Sequence, residues 1–351
     1  MSSGIEDRIE AWEGEAVVTR FDRATSTWIF IAIHNTTLGS AAGGTRMRTY
    51  PEPAAGLTDA MRLAAGMTAK WAVIGLPYGG GKAVLAVPEP LSGEARAGLL
   101  RSYGQLLESL KGAFQTGVDL GTTPEDMRVI AGETRYVHGV DPVTGATEDP
   151  GPFTARGVVR GIEAALAVVF GSDNLAGRSV VIQGVGDVGH PLARMLTDAG
   201  AKVFVSDIDG DRARRVAAEV GGELVEPAAV FSTPCDVFAP CAVTGVLNRE
   251  TIPKLACRVV AGSANAQLGE PDDADRLHER NILYAPDYVV NAGGATAFGL
   301  MSTGVVDVEE LMARVDDIRP TLEAIFAEAS ERNESPFAAS RRRVQVLLAQ
   351  G

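Results

Sequence analysis

The sequence has few of the features that mark disulfide-stapled, membrane-spanning or nucleic-acid-binding proteins. Three cysteines, Cys235, Cys241 and Cys257, are too few and odd in number for a disulfide framework, and none has CxxC spacing. No apolar stretch approaches the roughly 20 residues of a membrane span, and the N-terminus lacks the basic-then-apolar order of a secretory signal. The net charge of −13 argues against a nucleic-acid partner. We therefore expect a cytoplasmic protein with reduced thiols.

The length and the hydrophobic pattern predict an α/β protein of two domains. The chain has 351 residues, and 46% of them are hydrophobic, which is enough for sizeable cores. Strand-like runs such as "AVVTRFD" and "WIFIAIHN" alternate with runs of helical spacing. The segment 138–157 is dense in Gly, Pro and Asp and marks the boundary. We predict an N-terminal α/β domain over 1–148 and a second domain over 149–325.

The second domain carries a complete dinucleotide-binding fingerprint. In "VVIQGVGDVGH", Gly184, Gly186 and Gly189 have GxGxxG spacing, follow an apolar strand and open a helix, while Asp207 ends the next strand. This context predicts a Rossmann-type, doubly wound parallel sheet with the cofactor pyrophosphate at the helix N-terminus. A carboxylate at Asp207 binds ribose hydroxyls and repels a 2′-phosphate, so we expect NAD. A purely structural glycine turn remains an alternative.

Two lysines stand in the otherwise apolar or glycine-rich stretch "MTAKWAVIGLPYGGGKAVLAVP". A P-loop is excluded, because Leu76 replaces its first glycine and Ala83 follows the lysine. Lys70 and Lys82 are either surface residues with buried stems or parts of a site. In a site, desolvation lowers a lysine pKa and makes it a general base, while a charged lysine holds a carboxylate. Asp119, between glycines, is a helix cap or a proton shuttle.

These segments together are similar to the glutamate/leucine/phenylalanine/valine dehydrogenase family over nearly the whole chain. The segments that carry the resemblance, in matching order, are "AAGGTRM", "MTAKWAVIGLPYGGGKAV", "TGVDLGTTPEDM", "FTARGV", "VVIQGVGDVGH", "CDVFAPCA", "VVAGSANAQL" and "ILYAPDYVVNAGG". The resemblance implies reversible oxidative deamination of an L-amino acid to a 2-oxo acid and ammonia, a homo-oligomer, and a C-terminal segment, 326–351, that returns to the N-terminal substrate and oligomerisation domain. Ala266, where many members have asparagine, is a departure.

The resemblance also assigns roles to individual residues. Lys82 matches the catalytic lysine, Asp119 its acidic partner and Lys70 the lysine that binds the substrate α-carboxylate. Asn265 matches the asparagine that positions substrate and nicotinamide, and Thr154 a threonine that contacts the nicotinamide amide. The remaining matches are the substrate-approaching pair Gly43 and Gly44, and the cofactor-binding residues Gly184, Gly186, Asp187, Val188, Gly189, Asp207 and Cys241.

Small residues at three pocket positions favour an aromatic substrate. Ala42, Gly117 and Ala295 stand where leucine-type members have the larger Leu, Ala and Val, so the pocket is expected to be wider. Phe298, three residues beyond Ala295, refills part of that space or stacks on the substrate. We expect phenylalanine or a similar aromatic amino acid. Leucine or valine is the alternative, and tryptophan is a further one; glutamate is not expected.

Two functions from other classes are weighed against this one. A 2-hydroxy-acid dehydrogenase needs a histidine–acid pair, and the sequence offers lysines in its place. A catalytically dead NAD-binding regulator would be natural only if Lys82 or Asp119 were replaced. No metal site is expected, since no metal-ligand spacing links the histidines, which are His34, His138, His190 and His278.

Overall fold

The structure is a computed structural model that describes residues 5–140 and 149–350, without the side chains of residues 5–7. The described chain forms two compact units. The first holds the described residues up to Asp149, together with Phe298–Asp307 and residues 347–350, and the second holds Pro150–Ala297 and Val308–Val346. The unit boundary lies within one residue of the predicted one. Residues 141–148 of the predicted hinge lie outside the described residues.

The first unit is built on a five-stranded mixed sheet of order β1-β2-β4-β3-β5. Strands β3, β4 and β5 are parallel to one another, and β2 pairs antiparallel with β1 and β4. Its elements are α1 (Ile5–Glu10), β1 (Ala16–Asp22), β2 (Thr27–Asn35), β3 (Ala41–Arg48), α2 (Pro53–Ile74), β4 (Gly79–Ala86), α3 (Gly93–Ser109), β5 (Phe114–Val118) and α4 (Pro124–Ala131).

Helices cover both faces of this sheet, and this explains why β4 is buried at every residue. On one face, Val84 and Ala86 pack with Leu57 and Met61 of α2. On the other face, residues of β2, β3 and β4 pack with α3 and α4, among them Ile31, Met47, Ala83, Leu85, Leu99, Tyr103 and Met127. Since side chains alternate along a strand, Lys82 shares the α2 face with Val84.

Strand β3 contains the glycine pair of "AAGGTRMR" and was not expected as a strand from its composition, since glycine weakens β-structure. Its pairing with β4 and β5 on either side provides the stabilisation that the local sequence lacks. A Cβ atom at Gly43 would lie 1.8 Å from the carbonyl oxygen of Gly81. Only glycine therefore permits the approach of β3 to β4 at this point.

The second unit contains a six-stranded sheet, with the order β11-β10-β9-β6-β7-β8 and every pair parallel. The elements from Pro150 onwards are α5 (Pro150–Phe170), β6 (Ser179–Gln183), α6 (Gly189–Asp198), β7 (Lys202–Ser206), α7 (Gly210–Val220), β8 (Glu223–Leu224), β9 (Val237–Pro240), β10 (Val259–Val260), α8 (Asp273–Glu279), β11 (Leu283–Tyr284), α9 (Asp287–Val290), α10 (Gly293–Met301), α11 (Val308–Val315), α12 (Ile318–Arg332) and α13 (Pro336–Gln350). The residues of α10 from Phe298 and of α13 from Leu347 belong to the first unit. Among the described residues, no helix is long and apolar enough to cross a membrane.

The predicted two-domain α/β architecture with a doubly wound parallel sheet is confirmed. One strand prediction is too long, because "NILYAPDYVVNAGG" continues as a strand only over Leu283–Tyr284 and then forms the short helix Asp287–Val290. Pro286 has no backbone N–H to donate to a sheet and stands at the N-cap of that helix. The residues after β11 therefore turn away from the sheet.

The predicted return of 326–351 to the first domain is wrong for most of that segment. Residues 308–346 belong to the second unit. The hydroxyls of Tyr288 and Ser340 are 2.5 Å apart, Ser335 donates to Asp275, and Phe337 packs beside that unit's core. These contacts hold α13 against the second unit, and only the last residues, from Leu347, group with the first.

The glycine of β3 gives a test of this packing. We predict that Gly43→Ala lowers the free energy of unfolding by about 2 kcal/mol or more, because overpacking forces the two strands apart. Gly66→Ala on α2 is the matched control: its Cβ meets nothing within 4 Å, so the better helix former should stabilise by up to about 1 kcal/mol. Urea unfolding midpoints measure both. Equal effects of the two substitutions would contradict the assigned strand approach.

Candidate active site

The centre of the first unit's site is a buried ion pair between Lys82 and Asp119. The Lys82 Nζ lies 2.9 Å from Asp119 Oδ1, and the Arg46 Nε donates to Asp119 Oδ2 at 2.8 Å. Lys82 is on β4, Arg46 is on β3, and Asp119 follows the last residue of β5. Three neighbouring parallel strands thus bring the three side chains together at one region of the sheet.

Burial controls the proton affinity of Lys82, which is only 5% exposed. Desolvation lowers the pKa of Lys82; the charge of Asp119 opposes this shift, and the charge of Arg46 reinforces it. A lowered pKa increases the fraction of Lys82 that is a neutral amine at a given pH. A surface location for either lysine is wrong, because Lys70 is also buried, at 8% exposure.

Asp119 is held by a tight turn rather than by a helix cap. Its N–H donates to Thr122 Oγ1, whose hydroxyl also lies 2.9 Å from the carbonyl oxygen of Thr45 on β3. The N-cap of α4 is Thr123, so the helix-cap alternative for Asp119 is excluded. Burial alone would raise the pKa of Asp119, but Lys82 and Arg46 more than offset it and hold that pKa well below its usual range. The carboxylate is therefore ionised while both cations are present.

A second carboxylate completes a network that the sequence did not predict. Arg46 Nη1 contacts Asp59 Oδ2 at 3.0 Å, and the same oxygen accepts from the Tyr50 hydroxyl at 2.8 Å. Arg62 contacts the other Asp59 oxygen at 2.7 Å. Arg46 stands two residues after Gly44 in "GGTR", so both lie on the same face of β3. This spacing is the signal that could have placed Arg46 at the site.

Lys70 lies on α2, the helix that covers the sheet face of Lys82. The next residue, Trp71, donates its indole N–H to the carbonyl oxygen of Ala42 at 2.8 Å. This bond fixes the position of α2 against β3 at the predicted substrate residues. Ala42 itself is fully buried.

Gly44 and Gly117 lie opposite each other on β3 and β5. A Cβ at Gly44 would lie 2.8 Å from the Asp119 Cβ, and one at Gly117 would lie 3.6 Å from the His138 Cβ. Gly44 therefore lies next to the ion pair. Gly117 lies next to His138, a residue to which the sequence analysis assigned no role. Phe298 is 7% exposed, and its ring occupies the space that a side chain at Gly139 would need.

The glycine loop of the second unit has the geometry that the fingerprint requires. Gly184 adopts φ +93°, and its N–H donates to the carbonyl oxygen of Ser206 at 2.7 Å. A Cβ at Gly189 would lie 1.9 Å from the carbonyl oxygen of Gly184, whereas one at Gly186 would meet nothing within 4 Å. The loop is tightly packed where Gly189 meets Gly184 and has open space at Gly186. Asp187 is exposed, and Val188 is the N-cap of α6.

Asp207 follows β7 and is already paired. Its carboxylate accepts from the backbone N–H of Val185 at 2.9 Å, and Arg212 donates to both oxygens at 3.1 and 2.8 Å. Burial would raise the pKa of Asp207, but these hydrogen bonds hold it below its usual value. The neighbouring Ile208, which sequence reasoning did not single out, is 95% exposed.

The other predicted residues of the second unit are Thr154, Cys241, Asn265 and Ala295. The Thr154 hydroxyl donates to the carbonyl oxygen of Pro150 at 2.9 Å and accepts from the N–H of Gly294. Asn265 is exposed, and its Oδ1 accepts from Asn291 at 2.9 Å. Cys241 directly follows β9, and its Cβ is 3.5 Å from the Cβ position of Gly189. Ala295 is half-buried on α10.

No group of three or more His, Cys, Asp or Glu side chains could hold a metal ion within the described residues. The open glycine loop, the helix that starts at Gly189 and the carboxylate after β7 fit a dinucleotide cofactor. The chemistry-bearing groups of the first unit are the amine of Lys82 and the carboxylate of Asp119.

Comparisons with known proteins identify the family of the chain. Residues 19–136 match the family model described as the Glu/Leu/Phe/Val dehydrogenase dimerisation domain, and residues 145–212 and 213–341 match the glutamate/leucine/phenylalanine/valine dehydrogenase model. Leucine dehydrogenase from Geobacillus stearothermophilus is 42% identical, with 97% of this chain and 92% of that protein covered. Phenylalanine dehydrogenase from Lysinibacillus sphaericus is 39% identical, with 95% and 88% covered.

The crystal structure of L-tryptophan dehydrogenase from Nostoc punctiforme superimposes with a TM-score of 0.80, at 39% identity and 99% coverage of both chains. The relatives therefore act on different amino acids but share one overall chemistry. The matched models span most of the sequence and both units. The chain belongs to the glutamate/leucine/phenylalanine/valine dehydrogenase family and is a nicotinamide-dependent amino-acid dehydrogenase, an oxidoreductase that acts on the CH–NH₂ group.

Proposed function

We propose that this enzyme catalyses the reversible, NAD-dependent oxidative deamination of an aromatic L-amino acid, phenylalanine or a similar one, to its 2-oxo acid and ammonia. The observation that supports the chemistry best is the buried Lys82–Asp119 pair. An amine enclosed in the sheet, beside a carboxylate and with a lowered pKa, suits proton removal from water or from a substrate amine.

Lys82 acts as the general base in this proposal. A nicotinamide cofactor held by the loop from Gly184 to Gly189 would supply the acceptor for the hydride of the substrate α-carbon, and this oxidation yields an imino acid. Lys82 then takes a proton from the water that attacks the imine carbon. Asp119 moves protons during hydration and loss of ammonia. The charge of Lys82 is one cause of the low pKa of Asp119. While Lys82 is neutral and able to act as the base, that cause is absent, so Asp119 accepts a proton more readily in that state.

The substrate α-carboxylate binds to Lys70 in this proposal, and the backbone at Gly43 and Gly44 approaches the substrate closely. In the first unit, Arg46 and Lys82 already lie beside Asp119. The substrate carboxylate therefore needs another cation, and Lys70 on α2 supplies it. Asn265 positions the substrate and the nicotinamide through its side-chain amide, which Asn291 orients.

The preference for an aromatic side chain rests on the small residues Ala42, Gly117 and Ala295. A pocket with fewer side-chain atoms leaves a costly void around leucine and is filled by an aromatic ring. Leucine or valine is the second candidate substrate class, and the 42% identity to a leucine dehydrogenase is the observation that favours it. Tryptophan is supported by the likeness to the Nostoc punctiforme enzyme.

The cofactor in this proposal is NAD, bound by the loop from Gly184 to Gly189, with Cys241 beside it. The Thr154 hydroxyl donates one bond and accepts another, so it retains an acceptor lone pair for the nicotinamide amide. Asp207 binds the ribose hydroxyls and repels a 2′-phosphate. Because Arg212 neutralises this carboxylate, we expect the preference for NAD over NADP to be moderate.

We also propose a cytoplasmic homo-oligomer. The model that matches residues 19–136 is described as a dimerisation domain, which supports self-association through the first unit. The pattern of free cysteines, Cys235, Cys241 and Cys257, suits a reducing compartment.

The direct test is a spectrophotometric assay of NADH formation at alkaline pH with phenylalanine, tyrosine, tryptophan, leucine, valine and glutamate in turn. The expected result is the highest kcat/KM with an aromatic amino acid and turnover of the same substrate with NADP at a lower rate. The highest kcat/KM with leucine or valine would overturn the aromatic assignment. No turnover of any amino acid would overturn the proposed function.

The pH profile tests the proton chemistry at Lys82. We expect kcat/KM for deamination to rise with pH through an apparent pKa below 10.5, and Lys82→Ala to lower turnover by about 10²–10⁴-fold. Asp119 raises the pKa of Lys82 and Arg46 lowers it. In the residual activity, Asp119→Asn should therefore move the rising limb to lower pH, and Arg46→Met should move it to higher pH, each by about one pH unit.

The matched control is Arg276→Met, which removes an arginine from an ion pair with Asp273 in the second unit. This substitution should leave the rising limb where it is. Shifts of the same sign in the Asp119 and Arg46 variants would contradict the assignment of the titrating group to Lys82.

A further inference from the structure

His138 is a buried histidine that neither the fold nor the proposed proton chemistry uses. It is 4% exposed, and its backbone N–H donates to the carbonyl oxygen of Thr116 on β5 at 2.6 Å. Its Nε2 is enclosed and has no hydrogen-bond partner among the described residues. A buried polar atom without a partner is rare in folded proteins and requires an explanation.

The contacts of the other ring nitrogen, Nδ1, show that Nε2 lacks a hydrogen-bond donor. His138 Nδ1 lies 2.5 Å from Ser302 Oγ and 3.4 Å from the carbonyl oxygen of Phe298. The Ser302 hydroxyl donates to that same Phe298 oxygen at 3.0 Å, so its oxygen is left to accept. These contacts assign the proton to Nδ1. Burial lowers the pKa of His138 to about 4, so the ring is neutral at pH 7 and Nε2 is an acceptor.

The aromatic neighbours of His138 within the described part of the chain do not supply a donor. The ring of Tyr78 stands edge-on to His138 at 5.1 Å, and its hydroxyl donates to the carbonyl oxygen of Gly299 at 3.1 Å. The ring centroids of Trp71 and His138 are 6.3 Å apart, and the indole N–H of Trp71 donates to the carbonyl oxygen of Ala42. Both aromatic donors are thus engaged elsewhere, and the acceptor stands in an apolar, aromatic environment.

The position of His138 connects this acceptor with the predicted side-chain pocket. The Cβ position of Gly117 is 3.6 Å from the His138 Cβ, so the base of the His138 side chain borders the space left by the missing side chain at 117. Gly117 lies opposite Gly44 and two residues before Asp119. His138 therefore stands beside the end of β5 that leads to the ion pair.

We propose that His138 Nε2 is a specificity-determining acceptor for an N–H or O–H group on an aromatic substrate side chain. The inference rests on the proposed function and narrows its substrate class to amino acids such as tryptophan, with an indole N–H, or tyrosine, with a phenol O–H. Phenylalanine and leucine leave the acceptor unpaired, as it is in the free enzyme. Their complexes therefore lack the hydrogen bond that a donor-bearing substrate gains.

Substrates that differ only in the donor test this proposal in the wild-type enzyme. The measured quantity is kcat/KM for tyrosine against phenylalanine, and for tryptophan against 1-methyltryptophan, whose indole nitrogen has no hydrogen. The donor-bearing member of at least one pair should be preferred by about tenfold or more. The pair that shows the preference identifies the donor as O–H or N–H. Ratios near one in both pairs would overturn the proposal.

Two variants assign the preference to Nε2. His138→Leu removes the acceptor, so the favoured ratio should fall towards one, while His138→Gln offers an amide oxygen and should keep part of the preference. His278→Leu, on the exposed side of α8, is the matched control and should leave both ratios unchanged. An undiminished ratio in folded His138→Leu would overturn the role of His138. Turnover of phenylalanine with ratios near one would overturn this inference alone, whereas no turnover of any amino acid would overturn the proposed function.

Discussion

The buried contact between Lys82 and Asp119 is the interaction on which the account depends. Taking an ammonium and a carboxylate out of water is costly, and breaking such a pair by removing one partner costs about 3–5 kcal/mol. The chain keeps this pair at the centre of a fully covered strand and adds Arg46 and Asp59 to balance its charges. An arrangement this expensive, in which the lysine pKa is lowered, is better explained by chemistry than by stability.

The fold supplies the contact through the order of its strands. Parallel β3, β4 and β5 lie side by side, so Arg46, Lys82 and the residue after β5 meet although they are far apart in sequence. Glycine on β3 permits the close strand approach, and α2 covers the same face with a further buried lysine, Lys70. In the second unit, the parallel sheet places the glycine loop and Asp207 after neighbouring strands β6 and β7.

Sequence reasoning was reliable where one residue pattern decides the outcome. β1 has the predicted bounds, and the fingerprint glycines lie between β6 and α6 as expected. It missed β3, because strand pairing there overrides poor local propensity. It placed most of the last helix in the wrong unit, because the helical spacing of apolar residues does not determine which surface the helix packs against. Arg46 and His138 were overlooked, since their contacts join segments that are distant in sequence.

Direct titration of the Lys82 amine tests the central claim. The chain has few lysines, Lys70, Lys82, Lys111, Lys202 and Lys254, so the ¹³Cε resonances of ¹³C-lysine-labelled enzyme can be followed across pH and assigned by their loss in the Lys82→Ala variant. The account predicts that the Lys82 resonance titrates below 10.5, the ordinary lysine value, because desolvation lowers its pKa. A Lys82 resonance that titrates at or above 10.5 would contradict it.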